Sequence, residues 1–141
     1  MSQENVEMLR EGIENFLAGT SESAREDMLS KAVEDWDAEI ELDASETPIL
    51  DISGIYRGAD SAWQWWRDWY AAWDALRFEY ELVDAGDRVV LLLDVRLRGR
   101  STGIELPAKF AWTSTFRDGL VVRLKLHTSH AEALEAAGLP E

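Results

Sequence analysis

The spacing of apolar residues changes along this chain, and that change limits the possible folds more than any other feature. In Gln3 to Ala18, Val6, Leu9, Ile13, Phe16 and Leu17 recur at three- and four-residue intervals, with Glu4, Glu7, Arg10, Glu11 and Glu14 on the remaining surface. Gly19 stops this helix, and Ser21 or Ser23 caps a second one through about Val33, with Ala24, Met28, Leu29 and Ala32 inward. From Asp60 to Leu76 the helical period returns in Ala62, Trp65, Trp66, Trp69, Ala72, Trp73 and Leu76. After Leu76 the period is two. Strands are expected at Phe78–Val83, Arg88–Arg98, Ile104–Arg117 and Leu120–Thr128, joined by turns at Asp84-Ala-Gly-Asp87, Gly99–Gly103 and Asp118-Gly119. One earlier strand, Ala38–Asp43, alternates acidic residues with buried Ile40 and Leu42, and Ala44–Gly54 reads as a loop with breakers at Pro48 and Gly54. A short helix, Ala131–Gly138, ends the chain. Helices segregated from a meander of strands define an α+β domain, and the absence of any linker or repeat predicts one domain over residues 1–141.

Composition narrows the chemistry. Twenty-eight Asp and Glu against 14 Lys and Arg give a net charge of −14. That charge disfavours nucleic acid and anionic membranes as partners, because both would be repelled. With no cysteine, thiolate nucleophiles and Cys-ligated metals are excluded, and two histidines are thin provision for any metal site; no metal and no cofactor is expected. The beginning of the chain has neither a basic stretch nor an apolar run of the signal-peptide kind, and no segment is long enough to span a bilayer, so a cytoplasmic location is expected. The unusual count is seven tryptophans, five of them between Trp63 and Trp73.

Several local motifs, taken in order, carry a resemblance. They are Ser2-Gln-Glu-Asn-Val6, Tyr56-Arg-Gly58, Trp66-Arg-Asp-Trp69 with Trp73, Asp84-Ala-Gly-Asp-Arg-Val-Val90, Phe116-Arg-Asp-Gly-Leu-Val-Val-Arg123 and Glu132-Ala-Leu-Glu-Ala-Ala-Gly-Leu139. In this order they resemble the SnoaL-like branch of the nuclear-transport-factor-2-like superfamily, which also includes ketosteroid isomerase, limonene epoxide hydrolase and polyketide cyclases. The resemblance implies a cone-shaped curved sheet wrapped by three helices, an apolar pocket at its open end, and a homodimer through the outer sheet face. It does not imply one reaction, since function belongs to the site and not to the fold.

The strand period assigns the faces. Phe110, Trp112, Ser114 and Phe116 share one phase and Val122, Leu124, Leu126 and Thr128 another; both are expected inward, leaving Arg123, Lys125 and His127 outward. Against the catalytic patterns of the related enzymes, Gly12, Trp112 and Leu42 stand where the isomerase pattern wants a Tyr and two Asp. For the hydrolase pattern Asp94 matches one carboxylate, but Leu92 and Leu126 take the other positions. What remains is an apolar, aromatic pocket of Phe16, Leu42, Tyr56, Trp66, Phe110, Trp112, Ser114, Leu124, Leu126 and Thr128, suited to a small hydrophobic molecule. Trp65, Trp69 and Trp73 read as core. An enzyme of the cyclase, isomerase or hydrolase kind is the alternative, with Tyr56, Asp43 and Asp51 as its candidates and a carboxylate raised by burial in the loop as its base. His127 and His130 are expected to be solvated or at an interface, and Asp94 to pair across strands beside Arg96, Arg123 and Lys125.

Overall fold

The computed structural model describes residues 2–18, 34–45 and 54–138; the helix expected at 21–33, and Asp51 in the loop, lie outside them. Helix α1 (Ser2–Ala18) is followed by β1 (Trp36–Asp43), β2 (Ile55–Arg57), α2 (Ala59–Ala72), β3 (Trp73–Asp84), β4 (Arg88–Gly99), β5 (Glu105–Arg117), β6 (Leu120–His127) and α3 (His130–Ala136). The six strands form one sheet in the order β2-β1-β6-β5-β4-β3. Among the described residues the one parallel pairing, β1 with β6, makes the sheet mixed, and the sheet curls strongly to give an α+β cone.

Two boundaries differ from the sequence reading for identifiable reasons. Trp73 leaves the helix and opens β3 in an extended conformation, because β4 runs on to Gly99 and offers Trp73 a ladder partner. The tryptophan spacing fits a further helical turn equally well, but the sheet wins. A bulge between Ala75 and Arg77 then resets the phase of β3. The second difference is β2, three residues between the loop read as ending at Gly54 and the helix read from Asp60, where no strand is expected; it pairs Tyr56 with Leu42 and Ile55 with Asp43.

The inner face follows from register. Leu42, Leu124, Ser114 and Val89 are successive partners across four strands, and Leu126, Trp112 and Leu91 form the adjacent row. These pack with Ile40, Ala62 and Trp65 in the main core. The alternation expected for β6 holds at Leu124 and Leu126 but fails at Val122. A register shift pairs Phe116 with Val121, so Val121 enters the core at 1% exposure. At the β5–β6 turn, Asp118 and Gly119 both have positive φ, 55° and 81°, as a two-residue hairpin needs.

Candidate functional site

The concave face is graded. Along β5, Ser114 and Trp112 are buried, while Phe110, Ala108 and Leu106 on the same face are only partly buried. The deep end is filled by three indoles. Trp65 meets Trp66 edge-on at 4.9 Å and Trp112 at 5.2 Å, and Trp66 lies tilted over Trp112 at 5.2 Å. Edge-to-face packing of this kind adds to burial because the ring edge of one indole meets the negative face of another. The shallow end is bordered by half-buried Trp66, Trp69, Trp73, Phe78 and Tyr80.

The structure thus gathers most of the expected pocket residues on one surface, in two conditions. Leu42, Trp112, Ser114, Leu124 and Leu126 are buried, between 0% and 6% exposed. Tyr56, Trp66 and Phe110 are partly buried against them, and Thr128, just past β6, is exposed. Phe16 belongs to α1, whose backbone alone is described at that position. Tyr56 reaches the inner face from edge strand β2 as the register partner of Leu42. Burial, and then the negative charge of Asp68 on α2, push its phenol above the ordinary tyrosine value.

The acidic candidates fall elsewhere. Asp43 lies on the outer face, its side chain 8% exposed. Its Oδ1 accepts from the Ser45 amide at 3.0 Å and hydroxyl at 2.6 Å; its Oδ2 accepts from Arg123 at 3.2 Å and Lys125 at 3.3 Å. Burial alone would raise this carboxyl, but the Ser45 hydrogen bonds and the Lys125 cation outweigh it and hold it below the usual range. That is the reverse of the raised value expected of a loop base. A raised carboxyl is found instead at Asp35, before β1, from burial and the neighbouring charges of Glu34 and Glu11.

Further charged residues of the outer face are also paired. Glu41 accepts from Arg123 at 3.0 Å and contacts Arg57 at 3.3 Å. Asp94 makes the expected cross-strand pair but with different partners, Arg77 at 2.9 Å and Lys109 at 3.9 Å, because β3 and β5 flank β4. Near α3 this face turns apolar, with Val90 and Ala111 packed on Ala133. His127, the register partner of Ala111, is therefore not solvated: it is 2% exposed, with Nε2 3.0 Å from Thr113 Oγ1. His130 opens α3, and its Nε2 donates to the Leu93 carbonyl at 2.8 Å. No group of three potential metal ligands converges among the described residues.

One polar cluster on the concave side was missed by the sequence reading. The Tyr80 hydroxyl, on the inner face of β3, donates to Glu14 Oε1 of α1 at 2.5 Å. The Glu14 hydrogen bond, then burial, hold this phenol above its ordinary value, with Arg10 acting against them. Tyr80 keeps the phase of Phe78 and Leu82, and Glu14 stands four residues after Arg10, one helical turn, so both halves were visible. Their meeting across 66 residues was not.

A model of the SnoaL-like domain family matches residues 13–124. No curated protein matches the sequence. Among solved structures, an NTF2-like protein of unknown function from Burkholderia pseudomallei superposes with a TM-score of 0.71 at 19% identity, covering 93% of this chain and 95% of its own. TerC co-crystallised with polyporic acid gives 0.64 at 18% identity, covering 91% and 96%. A Catenulispora acidiphila protein of ketosteroid isomerase-like fold, in complex with trimethylamine, gives 0.57 at 15% identity, covering 92% and 94%. At these identities the likeness is one of fold.

Proposed function

We propose, from the premise that this chain belongs to the SnoaL-like domain family, that it binds a small hydrophobic molecule on the concave side of its sheet. The carrying observation is the grading of β5. Trp112 closes the deep end, while Phe110, Ala108 and Leu106 on the same face stay partly open beside the half-buried Trp66, Trp69 and Phe78. Apolar area left partly open inside a fold is the kind that a ligand covers, at roughly 25 cal/mol per Å2. Two proteins of this fold, TerC and the Catenulispora protein, have been crystallised with small organic molecules, which supports a similar use here. A second copy of the chain docking through the outer sheet face belongs to the same reading.

Binding is favoured over catalysis because Asp43, the described carboxylate among the catalytic candidates, is turned outward and held ionised by Ser45 and Lys125. Equilibrium dialysis against naphthalene tests the reading. Saturable uptake of one molecule per chain is expected, with at least ten-fold weaker uptake by Phe110→Asp. Naphthalene uptake that stays linear to its solubility limit, or is indifferent to Phe110→Asp, would overturn it.

A further inference from the structure

At its open end the apolar concave wall meets a polar group: partly buried Tyr80 with the exposed Glu14 and Arg10 of α1. Tyr80, partly buried on the inner face of β3, shares a register row with Leu93 and Phe110, so its ring lies at the open part of the proposed site. Glu14 Oε1 accepts a hydrogen bond from the phenol at 2.5 Å, and Arg10, one turn earlier on α1 and ion-paired with Glu7 at 3.6 Å, lies close enough to act on the same phenol. The phenolic oxygen is thus tied to a carboxylate, with a guanidinium one helical turn away and the Phe78 ring beside it.

Each charge in this group rejects a class of ligand. An anionic terminus would meet Glu14 at short range and the net charge of −14 at long range. A cationic terminus would meet Arg10. A neutral group that both donates and accepts suffers neither repulsion: it can donate to Glu14 or to the Tyr80 oxygen while accepting from Arg10. We propose that Glu14, Tyr80 and Arg10 form the polar end of the concave site and select an aromatic or alicyclic ligand bearing a neutral hydroxyl. This rests on the binding reading above and adds its specificity.

The test compares 2-naphthol, naphthalene and 2-naphthoate by equilibrium dialysis at pH 7, with the intact chain and with Glu14→Gln, Tyr80→Phe and Arg10→Gln. For the intact chain 2-naphthol is expected to bind about ten-fold tighter than naphthalene, the worth of one or two net hydrogen bonds, and at least ten-fold tighter than 2-naphthoate. Tyr80→Phe and Glu14→Gln should each bring the naphthol-to-naphthalene ratio to within about two-fold, by weakening naphthol far more than naphthalene. A purely structural tie between α1 and β3 would move all three ligands together and would overturn the proposal. Arg10→Gln should improve the relative binding of a protonated 2-naphthylmethylamine; no gain counts against the role given to Arg10. Equal binding of naphthol and naphthalene to the intact chain sinks the selectivity alone. If neither binds, the concave site itself falls, and this proposal with it.

Discussion

The two faces of the sheet are made from the same strands and solve opposite problems. On the concave face, β1, β4, β5 and β6 contribute Leu42, Leu93, Trp112, Leu124 and Leu126, held by packing. On the convex face the same strands contribute Glu41, Asp43, Asp94, Lys109, Arg123 and Lys125, held by charge. The contrast teaches where chemistry is available in this molecule. Ionised groups are abundant outside, where they neutralise one another, and scarce inside, where Tyr56 and the group around Tyr80 supply the polarity. On the binding reading proposed above, a ligand there would meet mainly apolar walls and few polar groups.

The largest way to break this contrast is Trp112→Ala. Removing the indole that joins Trp65 and Trp66 should cost about 3–5 kcal/mol in urea unfolding, insensitive to salt. Asp43→Asn strikes the other face. It leaves Arg123 and Lys125 short of a nearly buried partner and should cost about 1–2 kcal/mol, a figure held down by the half-exposed Arg123. Its pH signature has a definite sign. Because the folded carboxyl lies below its ordinary value of about 4, its contribution is complete above that value and lost as pH falls through the lowered one. The Asn variant should therefore show a flatter acid limb in stability measured from pH 6 to pH 2. Gly99→Ala returns to the concave rim. A Cβ there would stand 2.6 Å from Thr102 Oγ1 and 3.7 Å from the Trp73 ring, so thermal unfolding should report a loss of about 1 kcal/mol. Smallest is Asp94→Asn, whose Arg77 and Lys109 partners are more than half exposed; about 0.5 kcal/mol is expected, vanishing in 1 M salt.

What could be read from the sequence followed the strength of local patterns. Phe110, Trp112, Ser114 and Phe116 alternate so regularly that their shared inward phase is plain, and Ile40 and Leu42 likewise between acidic neighbours. Val121 and Val122 have the same side chain, so nothing local says which faces in; the bulge decides, and it depends on β5. Trp73 satisfies helix and strand patterns alike and is placed by Gly99, a residue 26 positions later. His127 was correctly put on the outer face, but its burial comes with the docking of α3 over neighbouring Ala111, which no strand period encodes. The candidate site divides the same way. Its apolar wall was legible, whereas the Tyr80 to Glu14 hydrogen bond joins an early helix to a middle strand and needs the assembled fold.

The parallel pairing of β1 with β6 has a consequence for how the chain reaches this state. Glu41 and Arg123 are register partners 82 residues apart, whereas β3 to β6 form a meander of short-range hairpins. Closing so long a loop costs entropy before any ladder bond repays it. During synthesis β1 emerges early and waits for a partner made near the end of the chain. The meander is accordingly expected to form first, with β1 and β2 added last, so the rate of folding is set at the seam between β1 and β6.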